Sequence, residues 1–169
     1  WPDRVANVIT IGTGIRSHGL QQMHNLEQII AITRDPEFRG GDYYGSPGPV
    51  HGLALARMIS HKTFLYADVI EERARVDIVR PETDLPWYDI SSSLESYMLY
   101  QGQKFVKRFD ANSYLRIIDA WQQFDLFEDA KQSGWQPLFG RCKDQHYLVF
   151  TIDSDCCFYP DYQAEICSE

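Results

Sequence analysis

Residues 5–14 read Val-Ala-Asn-Val-Ile-Thr-Ile-Gly-Thr-Gly, and residues 147–152 read Tyr-Leu-Val-Phe-Thr-Ile. Both are short apolar runs rich in β-branched and aromatic residues. The first ends in Gly12-Thr13-Gly14 and the second runs into the acidic pair Asp153 and Asp155. Runs of this kind predict buried strands of a parallel sheet, the first of them preceded by a turn at Pro2-Asp3-Arg4. A lone parallel pair leaves faces and edges unsatisfied, so the sheet these strands belong to is expected to extend beyond them. Two parallel strands flanking a large, mostly helical insertion place the chain in the α/β class.

Between the strands the spacing predicts helices. Residues 20–33 carry Met23, Leu26, Ile29 and Ile30 on one stripe and stop ahead of Asp35-Pro36, as a helix does before proline. Residues 37–49, rich in glycine and proline, read as loop. Helices follow over 52–65, 67–75, 94–109 and 111–124. Asp110 is placed to cap the last, whose stripe is Tyr114, Ile117, Ile118, Trp121 and Phe124. The weakly patterned stretch 76–93, with Pro81 and Pro86, is the best candidate for a mobile segment. A last helix is expected over 162–169. The chain starts at Trp1 and stops inside this helical pattern, so both ends are expected to be cuts through a larger fold.

A net charge of −8 argues against a nucleic-acid partner, because phosphate binding needs clustered lysine and arginine. No apolar run is long enough to cross a bilayer, and no signal-peptide pattern opens the chain. A cytoplasmic location is expected. The four cysteines, Cys142, Cys156, Cys157 and Cys167, match no metal-ligand spacing and are expected as reduced, buried thiols.

The nucleophile elbow G-x-S-x-G does not occur. Tyr44-Gly45-Ser46-Pro47-Gly48 lacks its first glycine and sits in a loop, which argues against Ser46 as a nucleophile. Gly12-Thr13-Gly14 approaches a dinucleotide fingerprint, but Ser17 stands in place of the third glycine. Of the five histidines, only His61 has a case for a role, sharing a helix face with Arg57. Asp155 lies beyond the C-terminal end of a predicted strand, where α/β folds place site residues. It suits either a carboxylate orienting a catalytic imidazole or the N-cap of the helix that follows, and position alone leaves both open. Arg57 lies in the small, apolar run Gly52-Leu53-Ala54-Leu55-Ala56. It suits bidentate capture of a small carboxylate; position alone favours an ordinary surface arginine.

Four blocks carry a resemblance. They are Gly40-Gly41-Asp42-Tyr43-Tyr44, Gly52 to Arg57, Glu95-Ser96-Tyr97 with Tyr100-Gln101-Gly102-Gln103-Lys104-Phe105, and Arg108-Phe109-Asp110-Ala111-Asn112-Ser113-Tyr114-Leu115. In this order they resemble the homoserine O-acetyltransferase family of the α/β-hydrolase superfamily. The resemblance covers about residues 1–160. It implies a partial α/β-hydrolase fold, with residues 1–16 giving one core strand, 17–134 the helical lid, and 135–169 the returning strand and helix. It implies transfer of an acetyl group from acetyl-CoA to the hydroxyl of L-homoserine, in methionine biosynthesis, by Ser-Asp-His ping-pong chemistry. No metal or prosthetic group is implied, acetyl-CoA being a co-substrate.

Ser154-Asp155-Cys156-Cys157-Phe158 is similar to the family's triad-aspartate segment, which implies the catalytic role for Asp155. Arg57 is implied as the grip on the amino-acid carboxylate. Phe64 stands where the family commonly has a substrate-side tyrosine, keeping the ring and losing its hydroxyl. The serine and histidine segments are expected outside residues 1–169, so the chain alone is expected to be inactive. The family's lids pair helices across a dimer, which implies a homodimer through the lid. The stripe ending in Trp121 and Phe124 then faces either a partner or the core. Other readings are a non-catalytic helical lid or dimerisation module, a hydrolase on the same scaffold, a serine acceptor, and a succinyl donor.

Overall fold

The computed structural model describes residues 3–76 and 87–166. Pro2, the centre of the stretch singled out as a mobile segment (77–86), Cys167 and the end of the last predicted helix lie outside the described residues. The elements in chain order are β1 (Asn7–Ile11), α1 (Gly19–Thr33), a 3-10 helix (Pro36–Gly41), α2 (Val50–His61), α3 (Ala67–Val76), α4 (Ser93–Val106), α5 (Ala111–Gln122), α6 (Leu126–Asp129), α7 (Trp135–Phe139), β2 (His146–Phe150) and α8 (Pro160–Glu165). They fall into two compact units, residues 3–19 with 121–166 and residues 20–120.

In the first unit β1 and β2 pair in parallel, from Asn7 opposite His146 to Ile11 opposite Phe150. The ladder continues at both ends, through His146 N–H to Ala6 O (2.9 Å) and Gly12 N–H to Phe150 O (3.0 Å). The expectation of buried strands is corrected. Ile9 and Ile11 are 63% and 65% exposed, and Leu148 and Phe150 about half exposed. A two-stranded ribbon has no layer to cover that face. Residues after β1 are sewn to the chain that follows α5: Leu126 N–H donates to Ile15 O (2.8 Å) and the Ser17 hydroxyl to Trp121 O (2.7 Å). An aromatic relay from Phe127 through Trp135 and Phe139 to Tyr147 ties α6 and α7 to β2.

The second unit packs α1, α2 and α4 around Ile32, Leu53, Ala56 and Phe105, with Tyr43 and Ala111 joining the same core. Two glycines set how closely these helices approach. A Cβ at Gly52 would lie 2.4 Å from Ala31 O on α1, and one at Gly102 would lie 2.9 Å from Ala54 O on α2. Asp35 joins two elements, accepting from Glu37 N–H at the 3-10 helix and from Gly52 N–H in the first turn of α2. That single carboxylate satisfies orphan donors of both. Asp110 accepts from Ser113 N–H (2.7 Å), the cap expected for α5. It also takes the Tyr43 hydroxyl, while Asn112 Nδ2 donates to Gly41 O (2.9 Å), so the 40s loop is held to the start of α5.

Three further sequence expectations are corrected. Residues 36–41, read partly as loop, form the 3-10 helix, and positive φ at Arg39 (50°) and Gly40 (64°) kinks it. Helix α1 has its apolar stripe outward: Met23, Leu26 and Ile30 are about half exposed, while Gln21, Asn25 and Gln28 are buried with Ile32. Periodicity fixes which residues share a face, and the partners available to amide side chains fix which face turns inward. The described cysteines are free thiols, yet none is buried, and Cys156 is exposed on the loop after β2.

Candidate active site

Asp155 stands on the loop between β2 and α8. Its Oδ1 accepts from Cys157 N–H (2.7 Å) and Phe158 N–H (2.8 Å), and its own N–H donates to Ile152 O (3.2 Å). The helix-cap alternative is corrected: α8 begins at Pro160 after Tyr159 and has no side-chain cap, so Asp155 closes a turn in the loop ahead of it, and does so with one oxygen only. Among the described residues Oδ2 is uncommitted, and it lies toward the glycine turn that ends β1: a Cβ at Gly12 would sit 3.3 Å from it and 3.1 Å from Ile152 Cδ1. Gly12 also holds φ +52°, a region that penalises a side chain. The turn after β1 therefore leaves clear space beside the carboxylate.

The Asp155 loop is held from behind by Gln163 on α8. Its amide oxygen accepts from Ile152 N–H (3.0 Å), and its nitrogen donates to Ile152 O (3.4 Å) and Phe158 O. Gln163 is 1% exposed. Asp153, the competing acid, is exposed, whereas Asp155 is half-buried.

Arg57 and Phe64 belong to the other unit, where the structure brings them together. The Arg57 guanidinium lies 5.1 Å from the centroids of both Phe64 and Phe105, within cation–π reach of each ring. Its Nη2 is 3.3 Å from His61 Nδ1, and His61 Nε2 is 3.1 Å from the Tyr97 hydroxyl. The Arg108 guanidinium approaches the same Phe105 ring, at 5.3 Å. Among the described residues no carboxylate is ion-paired with Arg57 or Arg108. Burial draws the pKa of Arg57 down; Tyr114 opposes this, Arg108 adds to it, and Tyr97 opposes it in turn. Burial also draws His61 down to about 4, with Arg57 and Arg73 acting in the same direction, so its imidazole is neutral. Burial raises the Tyr114 phenol, against the pull of Ser60 and Arg57, and that phenol donates to Gln28 Oε1.

The surroundings make a cationic, aromatic-walled position with hydrogen-bonding capacity to spare, suited to a small carboxylate. Sequence reasoning singled out Arg57, Phe64 and Asp155 as candidates. It left Phe105, Arg108 and Tyr97 inside quoted blocks without a role, and it passed over Gln163. The four-residue spacing of Arg57 and His61 was the signal for that pair. Gln163 sits in no motif.

An acid after a parallel strand, with a helical unit inserted between two such strands, is the arrangement of an α/β-hydrolase, and solved structures bear this out. Over 98% of its length the chain matches homoserine O-acetyltransferase from Bacillus anthracis (TM-score 0.78, 19% identity, 43% of that chain). It matches esterase E22 equally well (TM-score 0.78, 20% identity, 98% of this chain and 44% of that one). The fold is therefore part of an α/β-hydrolase fold. No family model matches the chain.

Among curated proteins it is 38% identical over 164 residues to homoserine O-acetyltransferase of Desulfotalea psychrophila, covering 97% of this chain and 42% of the relative. It is 43% identical over 173 residues to homoserine O-succinyltransferase of Magnetococcus marinus, covering 98% of this chain and 43% of the relative. The chain belongs to the homoserine O-acyltransferase family and spans about two fifths of the length of these relatives.

Proposed function

We propose that this chain supplies the acceptor-binding helices and the triad aspartate of an acyltransferase that moves an acetyl group from acetyl-CoA to the hydroxyl of L-homoserine. A serine takes the acyl group with histidine as base, and Asp155 orients and stabilises that imidazole. Arg57 grips the acceptor's carboxylate, Phe64 forms one wall beside it, and residues 17–134 act as the lid over the core strands at 1–16 and 135–169. The enzyme works in the cytoplasm, in methionine biosynthesis. Residues 1–169 contain no G-x-S-x-G, and expressed alone they are expected to be inert in transfer.

The observation that carries this reading is Arg57 itself. A half-buried guanidinium within cation–π reach of both Phe64 and Phe105, with no carboxylate partner among the described residues, holds charge and donors ready for an anion. The test is steady-state kinetics of the protein expressed from the full open reading frame containing residues 1–169. Arg57→Ala should raise the KM for L-homoserine about 10–100-fold, the loss of one to two charge-assisted hydrogen bonds. An unchanged KM for homoserine would remove Arg57 from the acceptor site.

Two variants of this reading have support of their own. The match to a homoserine O-succinyltransferase supports succinyl as an alternative acyl donor. The esterase match supports water as an alternative acceptor. The homodimer belongs with these proposals: the exposed apolar stripe of α1, at Met23, Leu26 and Ile30, offers it a face.

A further inference from the structure

Arg57 is a long, flexible side chain, and two aromatic rings 5.1 Å from its guanidinium carbon place the charge without fixing which edge of the group points where. That orientation is set by the contact at Nη2, 3.3 Å from His61 Nδ1. A guanidinium only donates, so Nδ1 must be the bare, accepting nitrogen of the ring. The proton of the neutral imidazole then sits on Nε2 and points at the Tyr97 hydroxyl 3.1 Å away. His61 and Tyr97 are 5% and 1% exposed, so neither has water to exchange this arrangement for.

We propose that His61 is a positioning residue for the substrate carboxylate: a neutral acceptor, set as the Nε2–H tautomer by its contact with Arg57 and with its proton turned to Tyr97, that orients Arg57 while leaving its positive charge uncompensated. This rests on the reading of Arg57 as the acceptor's grip. The physical point lies in the choice of acceptor. An aspartate or glutamate in place of His61 would orient the guanidinium equally well, but it would cancel the charge and compete with the incoming carboxylate for the same donors. A histidine would also fail if protonated, because Nδ1 would become a donor facing a cation. Burial together with Arg57 and Arg73 keeps the ring neutral down to about pH 4. Sequence alone shows only a histidine four residues after an arginine; the tautomer follows from the Arg57 contact, and the Tyr97 hydroxyl is placed to accept the remaining proton.

The assignment separates three replacements on the protein from the full open reading frame. Asparagine carries an oxygen where His61 has Nδ1, so His61→Asn should keep the KM for L-homoserine within about twofold of wild type. His61→Leu removes the acceptor and should raise that KM about tenfold with a much smaller change in kcat, as loss of uniform binding does. His61→Asp keeps the geometry and cancels the charge, and should raise KM at least as far as His61→Leu. A wild-type KM in either His61→Leu or His61→Asp would overturn the proposal, as would a His61→Asn variant no better than His61→Leu. Because these variants perturb a buried site, the unmutated protein gives an independent reading through the 15N shifts of selectively labelled histidine at neutral pH. The expected result is a protonated Nε2 and a bare Nδ1, and a protonated Nδ1 would overturn the proposal. Arg57→Ala separates the two levels. If it leaves the KM for homoserine unchanged, the carboxylate reading fails and His61 with it. If it raises KM while His61→Leu does not, His61 alone is reassigned.

Discussion

At the scale of the residue, Asp155 shows how a structural and a catalytic reading coexist in one side chain. Oδ1 closes the turn onto Cys157 and Phe158, and Oδ2 is left for another partner. The two roles separate by substitution. An asparagine side chain retains an oxygen for both backbone donors, so Asp155→Asn should leave thermal stability nearly unchanged while slowing acyl-enzyme formation by about 10⁴-fold, as loss of the orienting carboxylate does in a Ser-His-Asp relay. Asp155→Ala should lose the turn as well, with a cost of ~1 kcal/mol in stability. Burst kinetics with acetyl-CoA and a melting curve check both. An Asp155→Asn enzyme acylating at the wild-type rate would leave Asp155 with its role in the turn alone. The sequence singled out Asp155 as a candidate because α/β folds place site residues after parallel strands, and Arg57 with His61 because a four-residue spacing shares one helix face. Gln163 was not singled out, because a buried amide answering three backbone groups leaves no pattern along the chain.

At the scale of the element, helix starts were more legible than helix faces. Ser92 and Glu95 form a reciprocal cap on α4: Glu95 N–H donates to Ser92 Oγ, and Glu95 Oε2 accepts from the N–H groups of Ser91 and Ser92. The Tyr88 hydroxyl adds a bond to the same carboxylate, at 2.6 Å. The phenol bond first, and the two backbone donors after it, hold the Glu95 pKa down from 4.5 to about 2. A depressed carboxylate pKa stabilises the folded state above the unfolded value, and this contribution is lost as pH falls through the folded one. The stability difference between wild type and Glu95→Ala should therefore be full above pH 4.5 and shrink toward pH 2, measured as urea midpoints along a pH series. A difference that persists undiminished at pH 2 would exclude the ionised cap.

Helix α1 shows where sequence patterning stops. Its apolar residues do share a stripe, but Gln21, Asn25 and Gln28 take the buried side, Gln28 through the Tyr114 phenol and the carbonyl of His24. Hydrophobic period alone carries no information about a partner such as Tyr114, which comes from α5, far along the chain.

At the scale of the whole molecule, the sequence carried the class of fold and the order of its parts. Two apolar runs separated by helical pattern became one parallel ribbon with a helical unit inserted between its strands. It did not carry the burial of those strands, because burial depends on layers that two strands do not build: Ile9 and Ile11 stay open. The similarity spans nearly all of this chain and about two fifths of the relatives' length, so the proposed reaction has to be tested on the protein expressed from the full open reading frame. The most direct measurement is product analysis of that protein, expressed from its full open reading frame and given acetyl-CoA with and without L-homoserine. The expected result is O-acetyl-L-homoserine and free CoA in equal amounts, with little acetate while homoserine is present. Acetate formed at the same rate whether or not homoserine is added, with no acetylated amino acid, would contradict the transferase reading and leave a hydrolase on this scaffold.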